Sequence, residues 1–343
     1  MRILVTGGAG FIASHVTDAY LAAGHQVTVL DNLAGGKRSQ VPRRARFVEM
    51  DTRDRAGVAK LFKAGKFQVV NSHAAQMSVP DSVRDPWNDA EINCLGLLNL
   101  LEGCRANKVA KFIHISSGGT VYGSPKKLPA TEAYPILPES PYGITKAVGE
   151  DYLRFYKAEC GLDYTVLRYS NVYGPRQEPH GEAGVVAIFI KLLLAGRVPT
   201  IFGDGSIIRD YVYVGDVARA NLLALKKGSG EAFNIGTNKP TTVKQLFKAI
   251  ADEMGFKGRP SFGPGRAGDL QANYLSYAKA KKQLGWAPKV GLAQGIKATA
   301  DHFRRAATAR GEKHGCHHPG RRPGPAPEAP DPEDPQAPGA GGQ

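Results

Sequence analysis

The sequence has few cysteines, no long apolar run and fewer acidic than basic residues. Its four cysteines, at positions 94, 104, 160 and 316, show neither a paired spacing nor a C-x-x-C, so no disulfide framework is expected. The longest apolar stretch, VVAIFIKLLLA at 185–195, is broken by Lys191 and is far short of the roughly 20 residues that a membrane span needs. Arg2 leads directly into ILV, unlike a signal or transit segment. These features predict a cytoplasmic protein with reduced thiols and no membrane association.

The shortage of acidic residues gives a large positive charge. Lys and Arg number 45 against 31 Asp and Glu, a formal net charge of +14. Basic runs such as KRSQVPRR at 37–44 are short, and they lack the interleaved aromatic residues of a base-stacking surface. The charge therefore favours a phosphate-bearing small ligand over nucleic acid.

The first 170 residues alternate strand-like and helix-like segments. The strands are expected at 2–6, 26–30, 46–50, 67–71, 111–116 and 163–169, and the helices at 11–24, 54–65, 87–108 and 141–160. Because crossover helices must cover both faces of such a sheet, the alternation predicts an α/β fold, a Rossmann doubly wound parallel sheet. We assign residues 1–180 to this cofactor-binding domain and expect 214–235 to return to it.

The remaining chain divides into two parts of different character. Residues 181–310 predict a smaller C-terminal α/β lobe that binds substrate. From 311 to 343 the sequence is proline-rich, with eight of the 23 prolines after His318, and it is expected to be disordered. The HGCHH segment at 314–318 is a possible soft-metal ligand set, but a polar tail is the simpler interpretation, and no metal site is predicted.

The segment VTGGAGFIA at 5–13 joins the first strand to the first helix. Gly7 and Gly10 allow a tight turn and close approach to a pyrophosphate, whose charge meets the helix N-terminus. Asp31 follows the second strand at the spacing expected for a carboxylate that binds the adenosine ribose and repels a 2′-phosphate. The pattern therefore predicts NAD rather than NADP.

Tyr142 and Lys146 are four residues apart, on one face of the helix that begins near Pro141. A lysine ammonium and the positive nicotinamide ring favour the phenolate, which can then remove a hydroxyl proton while hydride leaves the same carbon. By itself such a pair also occurs on surface helices. Its position after a dinucleotide loop favours the catalytic interpretation.

At this point the chain resembles the extended short-chain dehydrogenases/reductases, in particular the NAD-dependent nucleotide-sugar epimerases and dehydratases. The resemblance extends from Met1 to about Phe303 and is closest to members of the UDP-glucose 4-epimerase type that carry S-[ST]-G-G before x-x-Y-G. It is carried by TGGAGFIASH (6–15), LDN (30–32), MDTRD (50–54), SHAAQMSV (72–79), EINCLGLLNLLE (91–102), SSGGTVYG (116–123), YGITK (142–146), LRYSNVYGPRQ (167–177), GDGSIIRDYVYVGDVA (203–218), RAGDL (266–270) and AKKQLGWAP (280–288).

The resemblance implies a site, a mechanism and an assembly. The cofactor, held tightly, is expected to contact Gly7, Gly10, Phe11, Ile12, Asp31, Asn32, Asp51, Thr52, Ala74, Ala75, Gln76, Asn93, Ser116, Tyr142, Lys146 and Tyr169. The UDP-sugar is expected to contact Asn171, Val185, Arg209, Tyr211, Arg266, Asp269 and Asn273. Hydride leaves the sugar C4, a 4-keto sugar turns over, and hydride returns to the other face. Relatives pair as homodimers through helices that match 90–107 and 141–158.

The chain departs from the family at Gly118, where relatives carry a catalytic Ser or Thr. Ser117 is the first candidate for the missing hydroxyl and Thr120 the second; a water molecule is a third possibility. Dehydratases place Asp-Glu directly after that Ser or Thr, whereas this chain has Gly119 and Thr120. Since neither can act as a general acid or base at neutral pH, the resemblance favours epimerisation.

Sugar specificity depends on a position where relatives can carry a bulky tyrosine that excludes N-acetyl groups. Here that residue is Asn273, so UDP-GlcNAc and UDP-GalNAc are candidate substrates beside UDP-glucose and UDP-galactose. Two alternatives stay open: epimerisation of UDP-glucuronate or chemistry of another nucleotide-sugar enzyme of this type, and a protein that binds NAD or a nucleotide sugar without turnover.

Overall fold

The computed structural model describes residues 1–178, 184–265 and 270–309. Its strands are β1 (Arg2–Thr6), β2 (Gln26–Asp31), β3 (Arg46–Glu49), β4 (Val69–Ser72), β5 (Lys111–Ser117), β6 (Asp163–Tyr169), β7 (Asn171–Tyr173), β8 (Thr200–Phe202), β9 (Ile208–Arg209), β10 (Tyr211–Tyr213), β11 (Glu231–Ile235), β12 (Thr241–Thr242) and β13 (Ser261–Gly263). Its α-helices are α1 (Phe11–Ala22), α2 (Arg55–Gly65), α3 (Val79–Arg84), α4 (Pro86–Ala90), α5 (Gly96–Ala106), α6 (Pro141–Cys160), α7 (Val185–Leu194), α8 (Val214–Ala224), α9 (Val243–Met254) and α10 (Leu292–Ala309).

The centre of the molecule is a seven-stranded sheet in the order β11-β6-β5-β4-β1-β2-β3. All neighbouring strands are parallel, which confirms the predicted doubly wound α/β fold. The strand order reverses between β1 and β4, and in such sheets ligands bind in the crevice beyond the carboxyl ends of the strands at that point. The glycine loop after β1 and the segment after β4 both lie there.

Two apolar layers cover the sheet. Helices α1 and α8 pack on one face around Val16, Tyr20 and Val217. Helices α2, α5 and α6 pack on the other around Phe62, Leu100 and Leu153. The buried strands carry near-continuous runs of Val, Ile and Leu because both of their faces are covered.

Residues 214–235 form α8 and β11, and β11 pairs with β6 at the edge of the sheet. The C-terminal lobe has its own apolar core, in which α7, α9 and α10 surround residues such as Phe189, Ile250 and Ile296. Short strand pairs, β10 with β7 and β12 with β9, connect this lobe to the sheet. The proline-rich tail and HGCHH lie outside the described residues.

The single helix expected at 87–108 is interrupted. A π-helical turn at Glu91–Leu95 separates α4 from α5. Asn93 lies in this turn, buried, with its side chain bonded to Asp89 and to the segment after β4. Such turns are common at functional sites, and this one brings an amide to the carboxyl edge of the sheet. Among the helices of the described ranges, none is both long and apolar enough to cross a membrane.

Candidate active site

The glycine loop after β1 has the geometry of an anion-binding turn. Gly7 adopts φ +68°, and a Cβ there would lie 2.8 Å from the Ala74 nitrogen, so only glycine fits. Gly10 caps α1 without a side-chain acceptor for the first-turn N–H groups. Phe11 and Ile12 follow in that turn, partly buried against the core. The free N–H groups and the helix dipole suit a diphosphate.

Asp31 ends β2 beside this loop. Its carboxylate accepts the Ala9 N–H at 2.9 Å and the Leu33 N–H at 2.8 Å, which fixes it against the glycine turn and leaves further lone pairs for ribose hydroxyls. Asn32 donates its side-chain amide to Asp51 at 2.8 Å. A hydrogen bond from Arg53 lowers the pKa of Asp51 to about 2. Buried Thr52 follows directly, so the residues expected around adenosine do lie together.

A buried carboxylate, Asp89, organises the other end of the crevice. It accepts hydrogen bonds from Thr145 Oγ1 at 2.7 Å, Asn93 Nδ2 at 3.0 Å and Gln76 Nε2 at 3.0 Å. Asn93 also accepts the Gln76 N–H at 3.0 Å. Ala74 is fixed nearby, since its N–H donates to Thr6 Oγ1, and Ala75 lies between it and Gln76. Two residues expected at the nicotinamide end, Gln76 and Asn93, are thereby tied to α6.

Tyr142 and Lys146 project from the first turns of α6 toward the crevice. Ser140 caps this helix by accepting the Gly143 N–H, and Pro141 occupies its first position. The Lys146 ammonium donates to the Ile115 carbonyl at 3.1 Å and lies 5.7 Å from the centre of the Tyr142 ring. The phenol and the ammonium are therefore close enough to influence each other's charge.

Burial shifts the pKa of both groups toward their neutral forms. It raises the pKa of Tyr142 to about 12; a hydrogen bond with Ser117 acts to lower it and the charge of Asp89 to raise it further. Burial lowers the pKa of Lys146 to about 8, and Asp89 and Cys94 oppose that shift. Two groups whose environments bring them toward neutrality in one crevice are typical of acid–base catalysis.

The hydroxyl groups at the carboxyl end of β5 and in the loop after it have different surroundings in the structure. Ser117 ends β5, two residues after the Ile115 carbonyl that Lys146 contacts, and its hydroxyl acts to lower the pKa of Tyr142. Ser116 instead directs its hydroxyl into the core, to Glu150 Oε1 at 2.6 Å, so only its backbone faces the crevice. The Thr120 hydroxyl is buried and has no hydrogen-bond partner among the described residues. At Gly118 an added Cβ would lie 2.4 Å from Leu275 Cδ1.

Tyr169, at the end of β6, is buried with its hydroxyl in a polar network. It accepts a hydrogen bond from Asn221 Nδ2 at 2.7 Å and contacts His73 Nε2 at 3.3 Å. Burial lowers the pKa of His73 to about 3, and the charge of Lys146 acts in the same direction. His73 is therefore a neutral imidazole next to Tyr169.

The residues expected to hold the substrate lie on the edge of the C-terminal lobe. Asn171 begins β7 and donates its N–H to the Asp210 carbonyl at 3.0 Å, and Tyr211 follows in β10. Arg209, in β9, is held by the Ile208 and Leu270 carbonyls. Val185 begins α7, and Asn273 is buried against the loop after β5. Arg266 and Asp269 lie outside the described residues.

Sequence reasoning missed two buried carboxylates, Asp89 and Asp210. Asp210 accepts the Thr237 N–H at 2.9 Å and the Leu275 N–H at 3.2 Å. The only sequence signal was that Asp89 precedes Asn93 by four residues, and Asp210 adjoins Arg209. Neither spacing reveals burial.

The site suits NAD. The glycine turn and uncapped N-terminus of α1 fit the diphosphate, Asp31 fits an unphosphorylated ribose, and Tyr142 with Lys146 fits the nicotinamide end. Within the ranges that the structure describes, no cluster of three His, Cys, Asp or Glu side chains is placed to hold a metal ion.

Comparison with known proteins gives a consistent result. Residues 3–236 match the model of the NAD dependent epimerase/dehydratase family. A putative UDP-glucose 4-epimerase of Methanocaldococcus jannaschii is 48% identical over 296 residues, 86% of this chain and 96% of that protein. The UDP-glucose 4-epimerase of Thermotoga maritima, solved with UDP-glucose, is 50% identical with a TM-score of 0.88, over 89% of this chain and 99% of that one. The Thermus thermophilus UDP-glucose 4-epimerase, solved with NAD, is 48% identical with a TM-score of 0.85, over 89% and 100%.

Proposed function

The chain belongs to the NAD-dependent epimerase/dehydratase family, and we propose that it is a UDP-glucose 4-epimerase, interconverting UDP-glucose and UDP-galactose. The observation that carries this proposal is the position of Lys146, whose ammonium lies 5.7 Å from the centre of the Tyr142 ring and donates to the Ile115 carbonyl, two residues before Ser117. This arrangement provides a hydroxyl, a base and a cation at one point of the crevice. The sequence identity to several UDP-glucose 4-epimerases supports it.

The residues of this chain supply the acid–base part of the reaction. NAD, when bound, takes hydride from C4 of the sugar and returns it to the opposite face. Tyr142 accepts the proton of the 4-hydroxyl and later gives it back. Lys146 favours the phenolate through its positive charge, and the Ser117 hydrogen bond acts in the same direction. Both oppose the burial that keeps the phenol neutral.

The same stretch argues against elimination of water from the sugar. Dehydration across C5 and C6 requires a second acid and base near the Tyr142 hydroxyl. After Ser117 the chain continues with Gly118, Gly119 and Thr120, none of which ionises at neutral pH. Hydride removal and return is the reaction these groups support.

We assign the site residues accordingly. Tyr142, Lys146 and Ser117 act at the 4-hydroxyl of the sugar, and Thr120 lies in the same loop as Ser117. The cofactor contacts are Gly7, Gly10, Phe11, Ile12, Asp31, Asn32, Asp51, Thr52, Ala74, Ala75, Gln76, Asn93, the Ser116 backbone and Tyr169. The substrate contacts are Asn171, Val185, Arg209, Tyr211, Arg266, Asp269 and Asn273. Planar guanidinium groups such as that of Arg209 match diphosphate oxygens two at a time.

The test is conversion of UDP-galactose by the purified protein, followed through the anomeric proton signals by NMR. Without added cofactor, growth of the UDP-glucose signal would establish epimerisation with retained NAD. Tyr142→Phe should reduce the rate by about 10²- to 10⁴-fold, and Tyr164→Phe, at a tyrosine near the amino end of β6, should not. No conversion of UDP-galactose, UDP-GalNAc or UDP-glucuronate with NAD supplied would leave the binding-only alternative.

We also propose a homodimer. Ile144, Val148, Tyr152 and Phe155 lie on one face of α6, and Ile144 and Phe155 are 49% and 56% exposed. Leu95, just before α5, adds a further exposed side chain. An apolar stripe on two neighbouring helices suits a second copy of the same stripe. A cytoplasmic location, expected from the cysteine usage, belongs to the same proposal.

A further inference from the structure

The space that a side chain at position 118 would need is filled by Leu275 of the C-terminal lobe. A Cβ added at Gly118 would lie 2.4 Å from Leu275 Cδ1, 3.2 Å from Leu275 Cδ2 and 3.4 Å from the Arg168 carbonyl oxygen. Leu275 is completely buried, so it cannot move aside cheaply. The volume in which relatives place a hydroxyl-bearing side chain is thus filled by leucine in this chain.

The backbone of the same loop is held by Asn273, two residues earlier. Its side-chain amide donates to the Gly118 carbonyl at 3.3 Å and to the Gly119 carbonyl at 3.2 Å. Asn273 is buried and is itself fixed, because its N–H donates to the Ile208 carbonyl at 3.1 Å. The carbonyls that follow Ser117 are therefore anchored from the C-terminal lobe.

The segment 273–275 also hydrogen-bonds to Asp210, beside the expected substrate contact Arg209. The Leu275 N–H donates to Asp210 Oδ2 at 3.2 Å, and Asp210 directly follows Arg209. Leu275 also forms a parallel bridge with Ala130. One short segment thus connects the strand of the expected diphosphate arginine to the turn that carries Ser117.

We propose that Asn273 and Leu275 are positioning residues for the Ser117 hydroxyl. Leu275 replaces the missing side chain at Gly118, and Asn273 fixes the two following carbonyls, so that the turn presents Ser117 rather than residue 118 to Tyr142. The inference rests on the proposed function, because it assigns Ser117 a part in the reaction at Tyr142.

The first experiment uses the pH dependence of kcat for UDP-galactose. With NAD bound, a Ser117 hydroxyl turned to Tyr142 favours the phenolate, as does the positive nicotinamide ring, so loss of that hydroxyl raises the pKa of Tyr142 and moves the acid limb to higher pH. Ser117→Ala should show this shift directly. Asn273→Ala should show the same shift through Ser117. In a Ser117→Ala background, Asn273→Ala should then add nothing to the shift.

The matched control is Asn107→Ala. Asn107 likewise donates its side-chain amide to a backbone carbonyl, that of Gly103 at 2.9 Å, but at the end of α5. Its removal should leave the acid limb in place. If Asn273→Ala leaves the limb unchanged, or if its effect adds in full to that of Ser117→Ala, Asn273 does not act through Ser117 and the inference is overturned.

The second experiment restores the side chain that relatives carry. Gly118→Ser should reduce kcat at least tenfold, because the new Cβ displaces Leu275 and with it the turn. The double variant Gly118→Ser with Leu275→Ala should recover activity relative to Gly118→Ser alone, since the truncation makes room. Full activity of Gly118→Ser, or no recovery in the double variant, would contradict the assignment of Leu275. Wild-type protein inactive on all three UDP-sugars would instead refute the proposed function.

Discussion

The Asp89 carboxylate accepts a 2.7 Å hydrogen bond from the Thr145 hydroxyl, which stands on α6 directly before Lys146. Through this contact a fully buried negative charge is held against the part of α6 that carries Tyr142 and Lys146. Its charge acts to raise three pKa values: it adds to the effect of burial at Tyr142 and Cys94 and opposes the effect of burial at Lys146. Asp89 therefore holds Lys146 as an ammonium while it opposes ionisation of Tyr142.

Asp89→Asn should move both limbs of the pH–rate profile to lower pH. Loss of the negative charge favours the phenolate, which lowers the pKa of Tyr142, and disfavours the ammonium, which lowers that of Lys146. The amide is accommodated, because Thr145 can donate instead to the Tyr142 carbonyl, 3.1 Å away. The measurement is kcat/KM between about pH 5 and 10 for the protein with NAD bound, whose positive ring favours the phenolate. The rate at about pH 9 should fall several-fold relative to that at about pH 7.

The control for this charge effect is Asp81→Asn, which removes an exposed carboxylate paired with Arg84 on α3. It should leave both limbs unchanged because solvent screens such a charge. Limbs that move in opposite directions in Asp89→Asn would show that the carboxylate does not act through its charge.

The sequence was sufficient to predict the sheet, and its motifs named candidate site residues. Alternating buried strands and amphipathic helices predicted the doubly wound fold, and Gly7, Asp31 and Tyr142 were named from spacing. Contacts between distant segments were not accessible in this way. Spacing cannot show that Asn273 reaches Gly118, that Ser116 turns to Glu150, or that a π-turn interrupts the helix at Asn93.

Asp31→Asn should weaken binding of NAD and reduce discrimination against NADP. The ribose hydroxyls lose a charged acceptor, which is worth about 1.5–3 kcal/mol, so NAD affinity should fall by at least tenfold. The repulsion of a 2′-phosphate disappears at the same time. The ratio of the affinity for NAD to the affinity for NADP should therefore fall as well. Calorimetric titration of cofactor-stripped protein with each dinucleotide measures both effects.

Asp252→Asn is the comparison for this variant, because Asp252 is an exposed carboxylate paired with Lys248 on α9. If the ratio of NAD affinity to NADP affinity is unchanged in Asp31→Asn, a group other than Asp31 determines the preference at the ribose.

Asn273→Tyr should make the enzyme selective against N-acetylated sugars. The resemblance places a tyrosine at this position in relatives that exclude N-acetyl groups, and Asn273 is buried beside the Ser117 turn. Loss of the amide contacts lowers the rates on all sugars alike, whereas a bulky ring acts on the N-acetyl sugar alone. The ratio of UDP-GalNAc to UDP-galactose turnover should therefore fall about tenfold or more.

Asn273→Ala separates the two effects, since it removes the amide without adding bulk and should preserve that ratio. An equal ratio in the tyrosine and alanine variants would mean that residue 273 does not limit the size of the sugar substituent.

Phe155→Asp should convert the proposed dimer to a monomer. Phe155 is 56% exposed at the end of the α6 stripe, and a carboxylate in a two-fold apolar contact would face its own copy across the interface. Sedimentation equilibrium should give about twice the 36.7 kDa chain mass for the wild type and the single mass for the variant. Val198→Asp replaces another exposed apolar side chain, 49% exposed in the C-terminal lobe, and should remain dimeric. If the wild type is monomeric, or if both variants dissociate equally, α6 is not the dimer interface and a second copy does not cover the stripe.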